Sequence, residues 1–237
     1  MITEFKLAEI TIEVSQKEIK NVHLSVNPPD GKVRVSAPIG MSLDAVRAFA
    51  LSKLSWIRKE QKKITEQVRV TPREFIDRES HYVWGRRYLL KIIEFEVVPK
   101  VEVRHENLVA TVRPGTSPEK VGELIELWLR DLVRDEAHKL IQKWEPILEV
   151  KVKSLFVQKM KTQWGACNSE AGNIRLNTDL ARKPLEFLEY VVVHEMVHLI
   201  EPTHSTRFMS LMDQFLPNWR QYKSELNHLP LPELDFR

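Results

Sequence analysis

The 237-residue sequence predicts an α+β protein, and three observations carry that reading. The first forty residues and the stretch from 81 to 114 alternate apolar and charged residues with the period of strands. Residues 42–64 and 117–147 carry the helical period. A 17-residue segment starting at Pro184 is apolar nearly all round, which marks a buried central helix. The expected organisation is a β-rich module with one helix over residues 1–115, then a mainly helical module with a small sheet over 116–237.

Near the N-terminus, "NVHLSV" and "KVRVSA" flank "NPPDG", whose Pro-Asp-Gly core is turn chemistry, so a β-hairpin is expected. From Ser42 the period changes. "SLDAVRAFALSKLSWIRKEQKKI" places Val46, Phe49, Leu54 and Ile57 at helical spacing behind Ser42 as N-cap. A polar connector leads to "HYVWGRRYLLKIIEFEVV" and "KVEVRHENLVATVRP", two β-rich stretches with "HEN" as the turn of a second hairpin. The module boundary falls near residue 115 because a long helix begins just beyond it: Ser117 caps it, Pro118 sits in its first turn, and Pro146 is expected to close it. "VKSLFVQKM" then reads as a strand and "KTQWGACNSEAGNIRLN" as a turn and a second strand. In "PLEFLEYVVVHEMVHLI", length and the leading proline outweigh the strand preference of the valines. The sequence carries no internal repeat and no low-complexity tract.

Composition bounds the function. A chain of this length buries a core without disulfide or metal staples. The 36 Lys and Arg against 33 Asp and Glu leave a net charge of +3, which permits nucleic acid without implying it; "RKEQKK" reads as a solvated helix end. The lone Cys167 excludes an intrachain disulfide and fits a reducing cytoplasm. Neither a signal peptide nor a membrane span of about 18 apolar residues is expected.

Chemistry concentrates in "VVVHEMVHLIEPTH". His194 and His198 are four apart, so on a helix their imidazoles lie one turn apart on one face and can share one ion. Glu195 sits between them, where its carboxylate can reach a metal-bound water without binding the metal. This is HExxH, the zincin signature. Zinc there lowers the pKa of its water to about 7, and Glu195 takes the proton. Five-residue patterns with three fixed positions also arise by chance, but two histidines and a glutamate inside an apolar helix are costly unless something binds them. A third ligand is needed. His204 follows six residues after His198, with Pro202 between them to end the helix and let the chain turn back. The spacing equals that of HExxHxxGxxH, with Glu201 at the glycine position. The rival is Glu225, on an expected later helix; His204 is favoured.

"YVVVHEMVHLIEPTHSTRF" together with the upstream "WGACNSEAGNIRLN" resembles the YgjP-like metallopeptidase family, relatives of the SprT-like zinc proteases. The resemblance runs through Trp164, Gly165, Cys167, Leu176, Asn177, His194, Glu195, His198, His204, Ser205 and Phe208, and less specifically through the N-terminal hairpin and "SWIRK". Ala166, Thr203 and Met209 depart from the family's usual Ser, Asn and Trp; none is a ligand or the base, so the departures touch the substrate pocket. The resemblance implies a zinc-dependent hydrolase with one zinc per chain, acting on peptide or protein. Two other readings stay open: a nucleoside triphosphate pyrophosphatase, for which Arg175, Lys161 and Arg207 are candidate phosphate contacts, and a nucleic-acid-associated protease. Trp164 and Asn177 are candidates to line the cleft, although packing and turn formation explain them as well. Cys167 reads as a small buried hydrophobe and Glu201 as a surface carboxylate at the helix end.

Overall fold

The computed structural model describes residues 2–27, 31–66, 73–160 and 163–228. It is α+β throughout, with three small mixed sheets. The chain divides into two compact units at the 71/72 junction, not near 115.

The first unit holds β1 (Ile2–Leu7), β2 (Ile10–Lys17), β3 (His23–Asn27), β4 (Lys32–Pro38), α1 (Leu43–Ser52) and α2 (Leu54–Glu66). The sheet order is β1-β2-β4-β3, with β2 and β4 parallel and both outer pairs antiparallel. The expected hairpin is β3–β4, although its turn at 28–30 lies outside the described residues. Ile12 and Val14 pair in register with Val33 and Val35, so four β-branched or aliphatic side chains share one sheet face. Val46, Ala50 and Ile57 cover that face. Ser42 caps α1 as expected, accepting from Ala45 N–H at 3.2 Å. The single expected helix is broken at Lys53, whose backbone leaves helical geometry.

The second unit opens with β5 (Ser80–Val83), β6 (Arg86–Glu94), β7 (Lys100–Arg104) and β8 (Asn107–Val112). Their order, β5-β6-β8-β7, and their strand directions reproduce the first sheet's topology, with β6 and β8 as the parallel pair. No sequence repeat announces this, because topology constrains only where apolar alternation and turns fall. Trp84 and Gly85 join β5 to β6, both at positive φ, the conformation of a tight hairpin turn. His105 and Glu106 make the other turn, inside the expected "HEN".

α3 (Pro118–Leu148) buries Val121, Ile125, Leu129, Val133, Ala137, Ile141, Trp144 and Leu148, one continuous stripe. Ser117 caps it, accepting from Lys120 N–H. Pro146 lies inside the helix and does not close it; the chain leaves helical geometry at Glu149, after Leu148 has been buried. β9 (Ser154–Gln158), β10 (Gly165–Asn168) and β11 (Asn173–Asn177) form the third sheet, ordered β10-β11-β9, where one strand fewer had been expected. A 3₁₀ turn (Thr178–Arg182) leads to α4 (Leu185–Val197), followed by α5 (Thr206–Phe215) and α6 (Trp219–His228).

Residues 73–115 belong with the later helices because specific contacts tie them there. Trp84 N–H donates to Ala181 C=O at 2.7 Å, and a Cβ on Gly85 would lie 2.8 Å from Pro184. At Gly122 a Cβ would lie 2.6 Å from the Phe75 ring, so only glycine lets that ring reach α3. Beside it sits a buried ionic cluster. His81, 1% exposed, has Arg73 2.9 Å from Nδ1 and Glu79 2.8 Å from Nε2, while Arg182 bridges Asp179 and Glu126. Arg73 can only donate, so Nδ1 accepts and Nε2–H donates to Glu79: the ring is neutral.

Burial first, then the Arg73 charge, push the His81 pKa down to about 4 from its ordinary 6.5. A histidine held below its unfolded pKa contributes stability that is complete above about pH 6.5 and is lost as pH falls toward 4. Between pH 7 and 4.5 the wild type is therefore expected to lose ~2–3 kcal/mol more than His81→Gln. Urea unfolding of both proteins at the two pH values measures it; equal losses would contradict the neutral ring.

Candidate metal centre

α4 carries the first two imidazoles. Its sequence is apolar on every side, and Phe187, Leu188, Val191, Val192, Val193, Met196 and Val197 are all buried. His194 and His198 emerge at its C-terminal end, half-buried. The helix stops at Val197 with His198 as its C-cap, four residues ahead of Pro202. His198 nevertheless keeps helical backbone geometry and donates its N–H to His194 C=O, so the one-turn spacing of the two rings survives. The segment 199–205 then doubles back: Ser205 N–H donates to Thr203 C=O at 2.8 Å, and Thr203 Oγ1 donates to Glu201 Oε1 at 2.9 Å.

That turn delivers His204 to the pair. The ligand-capable atoms of His194, His198 and His204 all lie within 4.8 Å of one another, and Nε2 of His194 and of His204 are 3.1 Å apart. Two nitrogens bound tetrahedrally at 2.0–2.1 Å stand about 3.4 Å apart, so the spacing suits a single ion. His198 Nδ1 lies 3.1 Å from Glu201 C=O; donating there fixes the tautomer and turns Nε2 toward the cluster. Burial pushes the His194 pKa down to about 3, with His198 and His204 adding to the shift, and burial lowers His198 as well. Both rings are held neutral, the form that binds metal. Convergence, tautomer and charge state thus fit a divalent ion. Glu225 is absent from the cluster; it is exposed on α6 and accepts from Gln221 at 2.7 Å.

Glu195 is 5% exposed, and burial alone pushes its carboxyl up to about 8. Gly165 on β10 presses on it. A Cβ at Gly165 would lie 2.7 Å from Glu195 Oε1 and 2.7 Å from Val191, so this strand position admits no side chain. Tyr190, one turn before His194, stands edge-on to that ring at 5.8 Å. Burial and then the Glu195 charge push its hydroxyl up to about 12, so it stays protonated. The same two causes push the Cys167 thiol up to about 11, and its sulfur is not among the converging ligand atoms.

The remaining candidates fall elsewhere. Asn177 is 1% exposed and its amide is fully used: Nδ2 donates to Met160 C=O and Gln163 C=O at 2.9 Å each, and Oδ1 accepts from Asp179 N–H. It pins the segment leading into β10. Trp164 is half-buried beneath Lys183, whose Nζ lies 5.6 Å from the ring centroid. Arg175 alternates with the buried Ile174 and Leu176, so it projects from the opposite sheet face, over Phe156. Arg207 is exposed on the first turn of α5, and Lys161 lies outside the described residues. No role for the carbonyl of Glu201 or the ring of Tyr190 is legible in the sequence beyond the helical spacing of Tyr190 before His194, and Gly165 enters there only through the family resemblance.

The family model described as "YgjP-like, metallopeptidase domain" matches residues 20–229. No curated protein matches the chain. Among solved structures, the metallopeptidase zymogen of Pyrococcus abyssi abylysin is similar at 19% identity and a TM-score of 0.36, covering 38% of this chain and 90% of its own. The metallopeptidase zymogen of Methanocaldococcus jannaschii jannalysin follows at 15% identity and 0.34, covering 40% and 92%. Among the described residues no helix is long and apolar enough to cross a membrane.

Sharing ~10–16 kcal/mol of site binding energy among four ligands assigns about 3 kcal/mol to each, a factor of ~100 in affinity. His204→Ala is therefore expected to weaken zinc binding by about 100-fold, and Glu225→Ala to leave it unchanged. Competition with a chelator of known affinity ranks the two; the reverse order would move the third ligand to α6.

Proposed function

The chain belongs to the YgjP-like metallopeptidase family, and from that membership we propose that it is a zinc-dependent peptidase in which His194, His198 and His204 hold one zinc per chain and Glu195 is the general base. The observation that carries the reading is the placement of Glu195. It is the buried carboxylate next in sequence to one converging imidazole, packed against Gly165. Zinc at the imidazoles supplies positive charge that polarises a carbonyl, acidifies water and draws Glu195 to its carboxylate form.

The chain's own groups do the rest. Glu195 takes the proton of the water attacking the peptide carbonyl and returns it to the leaving amine. Its low-dielectric surroundings raise its proton affinity and so favour the first transfer. β10 is the terminal strand in the order β10-β11-β9, so an extended peptide can add to its outer edge, antiparallel, and bring its carbonyl past Gly165. A residue larger than glycine there would obstruct both peptide and base. Tyr190, protonated and edge-on to the His194 ring, packs beside the imidazole cluster. A phosphoanhydride substrate would call for cations around the imidazoles. Of the described candidates, Arg175 points from the other sheet face and Arg207 is exposed on α5, which leaves Lys223 on α6 as the cation whose charge reaches His194.

Glu195→Gln preserves shape and removes the base, so zinc is expected to stay while cleavage of an unfolded protein substrate falls by ~100-fold or more. Full turnover in that variant would overturn the mechanism. Gly165→Ala is expected to displace Glu195 and cut turnover by ~100-fold with zinc content unchanged. Peptide assays alongside elemental analysis check both.

A further inference from the structure

Phe208 has no part in the chemistry, yet all three imidazoles rest on it. Its ring centroid lies 4.9 Å from that of His194, 4.6 Å from His198 and 4.8 Å from His204. The imidazoles are separated from one another by 5.0, 5.1 and 4.7 Å. The four rings are therefore nearly equidistant, and the phenyl ring supports the cluster as a whole. Phe208 is 1% exposed, so its own position is fixed by packing on every side.

Its sequence position explains how it gets there. Ser205, immediately after His204, is the N-cap of α5; its Oγ accepts from the N–H of Phe208 at 3.3 Å. The bond closes the first turn of α5 and orders Ser205 to Phe208 into one step, with the third imidazole on the residue just before it and the ring beneath the cluster at its far end. Of the three converging histidines, His204 alone is exposed and comes from a turn instead of α4. It is the one that needs such a tie.

We propose that Phe208 is a positioning residue for the metal site, an apolar floor that sets the approach angles of all three imidazoles, and that the Ser205 cap couples this floor to His204. The spacing His-Ser-x-x-Phe is then one functional unit: ligand, cap and floor. The proposal rests on the three-histidine reading above. It adds that site geometry is set by packing from below as much as by the helix carrying HExxH. A floor acts by restricting ring rotation, so its removal costs affinity without removing any ligand.

The test is zinc affinity, by chelator competition at a temperature where the metal-free protein is folded, for wild type, Phe208→Ala, Phe208→Leu, Ser205→Ala and Ser205→Thr. Cobalt-loaded samples report coordination geometry through their visible spectra. The expected result is a loss of about 10–100-fold in Phe208→Ala and Phe208→Leu, with altered cobalt spectra. Ser205→Ala is expected to lose about 3–10-fold, and Ser205→Thr, which caps, to stay near wild type. Phe208→Leu keeps apolar volume and Ser205→Ala leaves the core untouched, so the test stands even if Phe208→Ala does not fold. Wild-type affinity and spectra in Phe208→Leu and Ser205→Ala, whatever their melting temperatures, would reduce Phe208 to ordinary core. Wild-type protein that takes up no zinc would instead overturn the three-histidine reading itself.

Discussion

Three imidazoles turned toward one another, two at the end of an apolar helix and one on the turn that follows it, are the constraint on which the second unit is organised. Burial holds His194 and His198 neutral, and their mutual repulsion with His204 adds to the effect. Ring nitrogens this close share either a proton, as the 3.1 Å between Nε2 of His194 and of His204 allows, or a cation. The surrounding structure makes sense as what keeps them there. α4 carries two, the Glu201 carbonyl sets the tautomer of His198, the 199–205 turn returns the third, and Phe208 lies against every ring.

Glu195 depends on the same arrangement from the other side. Its burial raises the carboxyl to about 8, so in isolation it would hold its proton at neutral pH. A base in so apolar a place works only beside positive charge. The close approach of Gly165 leaves room for the carboxylate, since any side chain there would occupy its space. Asn177, buried and bonded to Met160 and Gln163, holds the segment that brings Gly165 to this position. It serves the site through the backbone.

Much of this was legible in the sequence. Periodicity carries α3, α4 and most strands, because burial writes itself into apolar spacing. The HExxH spacing carries His194, Glu195 and His198, because one helical turn is a fixed distance. His204 was legible from Pro202 and chain reach, although the helix stops four residues before the proline. The division at 71/72 was not legible. It depends on Phe75 reaching Gly122 and on Gly85 meeting Pro184, contacts between residues remote in sequence that leave no periodic trace. Asn177 was legible as far as turn formation, but the direction of Arg175 was not, since polarity marks a residue as notable without saying which way its strand faces it.

X-ray absorption on the zinc-loaded protein reads the proposed centre most directly. The account predicts a first shell of three imidazole nitrogens at about 2.0–2.1 Å and one further oxygen, with no sulfur. A scatterer at about 2.3 Å, marking a Cys167 ligand, or a shell of two imidazoles with a carboxylate, would contradict it.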